Sequence, residues 1–133
     1  MWPFRRSKRS LPLGQQGERL ARGLCRRRGM QILAANYRCP SGEVDLIALD
    51  PSASTPEGLE TIVFIEVKTR SGDRYTDPQS AVGPDKQRRI HRAARYYLAH
   101  RDTQGYFTRF DIVAIVLAPG QEPQLTYLEN AFS

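Results

Sequence analysis

The sequence predicts an α/β domain in which a mixed β-sheet is flanked by helices, in the order αβββαβ with room for a short final strand. Two segments show the apolar periodicity of amphipathic helices, and short runs rich in Val and Ile lie between and after them. A chain of 133 residues suffices for one domain with its own hydrophobic core. Three consecutive strands suit a meander, and a helical crossover to a further strand makes the sheet mixed.

The two helices are predicted from their apolar stripes. The first spans residues 14–28, and Gly29 suits its C-terminal end. The second spans residues 85–100 and follows the i, i+3, i+4, i+7, i+8 pattern. The stripes consist of Gly17, Leu20, Ala21, Leu24 and Cys25 in the first helix, and of Ile90, Ala93, Ala94, Tyr97 and Leu98 in the second.

Strands are predicted over residues 31–37, 43–49, 61–68 and 108–117, with a short fifth strand over 124–128. Residues 50–60 and 70–85, which are rich in Pro, Ser, Gly and Asp, are predicted loops. The strand 108–117 is apolar on both faces, so we expect it inside the sheet. Asp111 within it needs a partner, either Arg109 or a backbone donor.

The basic charge is concentrated at the N-terminus. The formal net charge is +6, yet residues 1–28 hold nine Lys and Arg and one acidic residue, for a net +8. Residues 1–12 are predicted to be a flexible basic arm, and residues 13–133 a single domain. The arm either contacts nucleic acid or is a solvated tail that aids solubility.

The cysteines and the hydropathy indicate the compartment. Cys25 and Cys39 have neither metal-type spacing nor a clustered His, which predicts reduced thiols in a cytoplasmic protein. The basic start is followed by no apolar signal region. No stretch is apolar enough to span a membrane, so no membrane partner is expected.

Three charged residues lie inside the apolar strands: Asp45, Glu66 and Lys68. Burying an unpaired charge is costly, so they need a reason to be there. Glu66 and Lys68 are two residues apart and point to the same face of a strand. If the two strands are neighbours, Asp45 can lie on that face. Two carboxylates and one ammonium group at one place are what a divalent cation and a phosphate require.

The pattern favours Mg²⁺ or Mn²⁺, which take oxygen ligands and keep several waters. Asp45 and Glu66 would supply carboxylates, and Lys68 would position water or stabilise negative charge. Glu18, at the edge of the first helical stripe, could ligate a second metal or orient a water. Glu43 shares the face of Asp45 by alternation and is a further candidate ligand, although a polar residue near the turn is the simpler reading.

The same pattern allows a simpler interpretation, an ion pair between Glu66 and Lys68 at the end of a strand. The loop after this strand must run near the site, and its Arg70 and Arg74 either meet a phosphate or are solvated. Lys86, at the start of the second helix, is a third candidate for nucleic-acid contact.

A series of motifs then matches one known family in order. They are Gly14, Gly17 and Glu18; Asn36-Tyr37-Arg38; Gly42-Glu43-Val44-Asp45-Leu46-Ile47; Phe64-Ile65-Glu66-Val67-Lys68-Thr69-Arg70; Ala81-Val82; Lys86-Gln87 with Arg89-Ile90; Arg109-Phe110-Asp111; and Asn130-Ala131-Phe132. The chain resembles the YraN-type family of small bacterial proteins over residues 14–132. That family is similar to the Holliday-junction-resolvase branch of the PD-(D/E)xK nucleases.

The resemblance implies a restriction-endonuclease-like core, nucleic acid (DNA in the first place) as substrate and a possible homodimer. It also places Glu18, Asp45, Glu66 and Lys68 on the nuclease motif. The chain departs from the pattern in three ways: no Pro precedes Asp45, Thr76 stands where Gly is expected, and the loop 50–60 is long. A metal-dependent nuclease is therefore the leading interpretation. A non-catalytic nucleic-acid-binding module and a protein-interaction subunit are the alternatives.

Overall fold

The computed structural model describes residues 11–51, 60–72, 82–101 and 106–133. Its elements are α1 (Leu13–Arg27), β1 (Gln31–Cys39), β2 (Gly42–Asp50), β3 (Glu60–Ser71), α2 (Pro84–Ala99), β4 (Tyr106–Leu117) and β5 (Gln124–Phe132). This succession confirms the predicted order αβββαβ with a final strand. All but the last two residues of the predicted basic arm lie outside the described ranges, as do the middle of the loop 50–60 and Arg74.

The five strands form one mixed sheet in the order β1-β2-β3-β4-β5. The pairs β1–β2, β2–β3 and β4–β5 are antiparallel, whereas β3 and β4 are parallel. The parallel pair follows from α2, which carries the chain back across one face of the sheet between these strands. The prediction that residues 108–117 lie inside the sheet is confirmed, because β4 has a neighbour on each side.

One helix covers each face of the sheet, so the core has two halves. On the α1 face, Ala21 and Cys25 pack against alternate residues of β2, β3 and β4, including Leu46, Ile65 and Val113. On the α2 face, a second cluster packs together: Val44, Ile47, Ile62, Phe64, Val82, Ile90, Ala93, Ala94 and Ile112. Burial on both faces explains why β3 and β4 are almost continuously apolar.

Two glycines permit unusually close packing of the helices on the sheet. A Cβ at Gly17 would lie 1.8 Å from Oγ1 of Thr69, so a side chain there would collide with β3. A Cβ at Gly42 would lie 2.2 Å from the carbonyl oxygen of Arg89. The first contact presses α1 onto the end of β3, and the second presses the β1–β2 turn onto α2.

The last strand is longer than predicted, which corrects the prediction of a short strand over 124–128. After Ile112↔Leu128 the register shifts, and pairing resumes at Phe110↔Phe132. Asn130 occupies the left-handed region with φ 56°, and its N–H donates to Oδ1 of Asp111 at 2.8 Å. The polar residues near Asn130 therefore mark a bulge inside the strand and not its end.

Asp111 has the partners that its burial requires. It is fully buried and accepts hydrogen bonds from the Arg109 guanidinium, the Tyr127 hydroxyl and the Asn130 N–H. Arg109 Nη2 also reaches Asp50 Oδ2 at 3.0 Å. Both predicted types of partner, Arg109 and a backbone donor, are thus present, and the network joins β2, β4 and β5.

Candidate active site

Asp45 and Glu66 meet where β2 and β3 separate. The ladder between these strands runs from Asp50↔Thr61 to Leu46↔Ile65 and then stops. The next donor on β3, the N–H of Val67, bonds to the side chain of Asp45, with 2.7 Å between nitrogen and Oδ2. The carboxylate thus replaces a backbone acceptor and lies against β3 beside Glu66.

An irregularity in β2 accompanies this separation. Val44 and Ile47 pack into the same cluster on the α2 face although they are three residues apart. Strict alternation would place them on opposite faces of the sheet. The alternation of β2 is therefore broken between these two residues, in the segment that contains Asp45.

Glu66 is an acid held in an environment that disfavours its charge. Its exposed fraction is 2%. Burial first, and the neighbouring Asp45 carboxylate second, raise its pKa from 4.5 to about 8. The ammonium groups of Lys86 and Lys68 oppose this rise without cancelling it. Two carboxylates so close together, one of them buried, form a place where positive charge is strongly favoured.

One oxygen of Glu66 lacks a partner in the described part of the chain. Oε2 forms ion pairs with Lys68 Nζ at 3.6 Å and with Lys86 Nζ at 3.7 Å. Oε1 is buried and accepts no hydrogen bond from any described residue. Because a buried unsatisfied carboxylate oxygen is costly, such an atom in a folded protein suggests a missing ion or water.

Lys68 lies between the carboxylates of Asp45 and Glu66 and the protein surface. It projects from β3 two residues after Glu66, and 34% of its side chain is exposed, against 3% for the side chain of Glu66. It lines a cavity of about 610 Å³ with Asp45, Glu18 and Asn36. A ligand in this cavity would therefore meet the lysine and the Asp45 carboxylate directly.

Glu18 faces the same cavity but is held by other groups. Its Oε1 accepts hydrogen bonds from Asn36 Nδ2 at 2.8 Å and from Arg22 Nη1 at 3.0 Å. The close contact of Gly17 with Thr69 brings this part of α1 to the end of β3. Of the four residues predicted from the sequence, Glu18, Asp45 and Lys68 thus line one cavity, whereas Glu66 is buried beside Asp45 and is not part of the cavity lining.

The donor set fits a hard divalent cation that is bound through few protein ligands. Asp45 and Glu66 can provide oxygen atoms, and the unpartnered Oε1 is available for such an ion. Among the described residues there is no group of three or more His, Cys, Asp and Glu side chains placed to share a metal ion. The remaining ligands would therefore be waters, backbone oxygens or oxygens of a bound substrate.

The other predicted residues lie in different surroundings. Arg70 is exposed at the end of β3. Arg74 lies outside the described residues. Lys86 does not extend into solvent as a simple nucleic-acid contact would: its Nζ lies between Glu66 Oε2 and Glu43 Oε2, 2.9 Å from the latter. Glu43 is also paired with Arg89 at 3.2 Å, so it belongs to this ion-pair network.

The sequence did not predict the role of Lys86 and Arg89 beside the site. Both lie in the first two turns of α2, where a charged stripe is normally the solvated side of a helix. A signal was present, since Glu43 follows the turn and needs a cation if it is partly buried. Only the packing of that turn on α2 identifies the cation.

Comparison with known proteins identifies the family. The family model described as Uncharacterised protein family UPF0102 matches residues 17–115. The chain belongs to the UPF0102 family. A UPF0102 protein of Syntrophus aciditrophicus is 44% identical over 127 residues, which covers 96% of this chain and 93% of the relative. A UPF0102 protein of Nocardia farcinica is 41% identical over 120 residues, covering 90% and 88%.

These matches confirm the predicted YraN-type resemblance at the level of the family. The matched UPF0102 region contains Glu18, Asp45, Glu66 and Lys68 together. Neither α1 nor α2 is long and apolar enough to cross a membrane, and no other helix occurs in the described part of the chain.

Proposed function

We propose that this UPF0102 protein is a nuclease that hydrolyses phosphodiester bonds of DNA with the help of Mg²⁺ or Mn²⁺. One observation carries the proposal: among the described residues, one oxygen of the buried Glu66 has no hydrogen-bond partner, and Glu66 lies beside Asp45, whose side chain lines an open cavity. A structural ion pair would satisfy that oxygen from within the chain. The arrangement instead suits a cation supplied from solution.

The residues have separate roles in this proposal. Asp45 and Glu66 hold the metal ion. When bound, such an ion lowers the pKa of a coordinated water and neutralises charge on a phosphate. Lys68 reaches the cavity and donates a hydrogen bond to a phosphate oxygen as negative charge develops there. Its ion pair with Glu66 Oε2 holds the ammonium group close to the carboxylates.

Glu18, which lines the same cavity as Asp45 and Lys68, has a supporting role. Its Oε1 is held by Arg22 and Asn36, which leaves Oε2 without a described partner. The free oxygen can accept a hydrogen bond from a water molecule in the cavity, since carboxylate oxygens have spare acceptor capacity. A second metal site at Glu18 would require this hydrogen-bonded arrangement to change.

Cleavage of labelled DNAs tests the proposal. Duplex, single-stranded, flap and four-way-junction substrates are incubated with Mn²⁺ or Mg²⁺ and with EDTA. We expect metal-dependent cutting by the wild type, with loss of about 100-fold or more in Glu66→Gln and in Lys68→Ala. Glu122→Gln, which removes an exposed carboxylate near Gln121 and Gln124, is the matched control and should cut normally. Cutting that persists in both site variants would refute the proposal.

The second candidate is a nucleic-acid-binding module without catalysis. The net +8 within residues 1–28 favours it, because basic segments bind the phosphate backbone through counterion release. It predicts salt-dependent DNA binding that weakens when residues 1–10 are deleted, with no cleavage under any metal condition. A folded wild type that binds but never cuts would therefore favour this candidate.

A further inference from the structure

The β1–β2 turn and α2 enclose a second concave surface beside the proposed active site. It is lined by three arginines, Arg38, Arg89 and Arg92, and by the turn residues Cys39, Pro40, Ser41, Gly42 and Glu43, and its volume is about 330 Å³. We propose that this arginine pocket binds a backbone phosphate of the nucleic acid, next to the one that is hydrolysed. The inference deepens the proposed function and rests on it.

The pocket is a built feature of the fold. A Cβ at Gly42 would lie 2.2 Å from the Arg89 carbonyl oxygen and 2.9 Å from the Ala93 nitrogen. The absence of a side chain therefore lets the turn rest directly on the backbone of α2. This contact fixes Arg38, on the strand side, relative to Arg89 and Arg92, on the helix side.

The positive charge of the pocket is only partly used within the protein. Glu43 is its one acidic residue, and its carboxylate is already engaged by Lys86 at 2.9 Å and Arg89 at 3.2 Å. Hydrogen bonding to Lys86 lowers the pKa of Glu43, so the group is ionised at neutral pH. Within the described ranges, Arg38 and Arg92 form no ion pair within 4 Å. Two guanidinium groups thus remain available to an anion.

A chain of ion pairs connects the pocket to the buried acid. Arg89 pairs with Glu43, Glu43 with Lys86, and Lys86 with Glu66 at 3.7 Å. The Nη2 atom of Arg89 is therefore at most about 10 Å from Glu66 Oε2, a separation that neighbouring phosphates of one strand can span. A strand cleaved beside Glu66 would bring its neighbouring phosphates to this pocket.

The chemistry of the pocket favours a phosphodiester over an acidic peptide. Guanidinium groups match the geometry of phosphate oxygens, and two facing arginines can share one phosphate. Four of the eight described residues that line the pocket are charged, and three of these are arginines; Cys39 and Pro40 are the only apolar side chains among the eight. The pocket also lies next to the proposed nuclease site. A nucleic-acid strand bound at that site would therefore hold its neighbouring phosphates close to the pocket.

Binding measurements with matched variants test the pocket. Fluorescein-labelled duplex and single-stranded 30-mers are titrated by anisotropy, with Ca²⁺ in place of Mg²⁺, at several salt concentrations. We expect Arg38→Ala/Arg92→Ala to weaken binding about 10-fold and to reduce the salt slope by about 1. Arg88→Ala/Arg95→Ala removes the same charge from the exposed side of α2 outside the pocket and should stay within about twofold of the wild type. Equal losses in both variants would overturn the inference.

Competition identifies the class of ligand. Polyglutamate, added at the same concentration of negative charge as unlabelled DNA, should displace the labelled DNA poorly from the wild type. It should displace the labelled DNA from Arg38→Ala/Arg92→Ala to the same small extent. Polyglutamate that competes as well as unlabelled DNA, and loses this ability in that variant, would assign the pocket to an acidic protein and overturn the nucleic-acid inference.

Cleavage separates this inference from the proposed function. If the wild type cuts and Arg38→Ala/Arg92→Ala binds and cuts like it, the pocket fails while the nuclease stands. If nothing is cut but binding depends on these arginines, the nuclease fails while the phosphate pocket stands. If the wild type cuts, a neutral methylphosphonate within three nucleotides of the cut should slow the wild type about 10-fold. The methylphosphonate should have little further effect on Arg38→Ala/Arg92→Ala, because the neutral linkage and the substitutions remove the same contact. Losses of cleavage rate that add up would contradict the inference.

Discussion

The Oδ2 atom of Asp45 accepts a hydrogen bond from the N–H of Val67 at 2.7 Å, where the β2–β3 ladder has ended. One carboxylate thus closes a gap in the sheet and also faces the buried acid. Asp45→Asn keeps a carbonyl oxygen that can accept this bond but removes the charge. We expect it to remain folded and to lose about 10-fold or more in Mn²⁺ affinity, measured by calorimetry.

The companion variant Asp45→Ala removes the acceptor as well. The Val67 N–H would then be unsatisfied, and the free energy of unfolding should fall by about 1–3 kcal/mol in chemical denaturation. Wild-type Mn²⁺ affinity in a folded Asp45→Asn would show that this carboxylate is not a ligand.

Glu66 makes the stability of the metal-free protein depend on pH. Its pKa is raised from 4.5 to about 8 by burial first and by Asp45 second. Because the folded-state pKa lies above the unfolded value, the folded state binds the extra proton, and its stabilisation is fully present below about pH 4.5 and lost as the pH rises through about 8. Glu66→Gln should not lose stability as the pH rises, since glutamine has nearly the same shape as glutamic acid and cannot ionise.

We therefore expect Glu66→Gln to be more stable than the wild type by about 1 kcal/mol or more at pH 8.5 in EDTA, and nearly equal to it at pH 4.5. Urea unfolding at both pH values checks this. Lys86 keeps Glu43 as a partner in the variant, so no cation is left unpaired on the helix. Glu122→Gln should show no such pH-dependent gain. Equal stability of Glu66→Gln and wild type at pH 8.5 would contradict the buried, charge-disfavouring site.

Gly17 sets the distance between α1 and β3. Gly17→Ala places a methyl group 1.8 Å from Thr69 Oγ1 and 2.9 Å from its Cβ, so either the Thr69 side chain or the helix must shift. We expect the free energy of unfolding to fall by about 1–3 kcal/mol, despite the better helix propensity of Ala. Thermal denaturation by circular dichroism measures it.

Gly14→Ala is the matched control in the same helix. A Cβ at Gly14 has no neighbour within 4 Å, and the residue has no positive φ. This substitution should be neutral or stabilising by up to about 1 kcal/mol. A Gly17→Ala variant as stable as Gly14→Ala would show that the close approach of α1 is not required.

The Tyr127 hydroxyl donates to the fully buried Asp111. Burial and the Asp111 carboxylate both raise the pKa of Tyr127, so the hydroxyl stays protonated. Tyr127→Phe removes one of the donors to Asp111, and the free energy of unfolding should fall by about 1–2 kcal/mol. Asp111→Ala leaves Arg109 partly unpaired in the interior and should cost about 3 kcal/mol or more. A smaller loss in Asp111→Ala than in Tyr127→Phe would argue against this network.

The two cysteines should differ in reactivity. Burial raises the pKa of the Cys25 thiol to about 11, and the residue is fully buried on the face of α1 that packs against the sheet. Cys39 is half-buried at the arginine pocket. Iodoacetamide at pH 8 should therefore modify one thiol in the native protein, and both in denaturant. Cys39→Ser should remain unmodified until it unfolds; rapid native modification of that variant would show that Cys25 is accessible.

Much of the architecture was predictable because it depends on local patterns. Apolar stripes at helical spacing identified α1 and α2, and short Val- and Ile-rich runs identified β1 to β4 to within about three residues at their ends. The length of β5 was not predicted, since the expected strand 124–128 stops before Glu129 and Asn130. The left-handed backbone of Asn130 forms a bulge only because Asp111 on β4 accepts its N–H.

The candidate site divides in the same way. The sequence alone determined that Asp45, Glu66 and Lys68 are charges inside apolar strands, because alternation and composition are properties of the chain itself. Tertiary structure decided that Glu66 is buried with an unpartnered oxygen, that Arg22 and Asn36 hold Glu18, and that Lys86 joins Glu43 to Glu66. Burial and ion pairing depend on which distant segments pack together, and here two glycine contacts, at Gly17 and Gly42, bring the helices close enough to decide them.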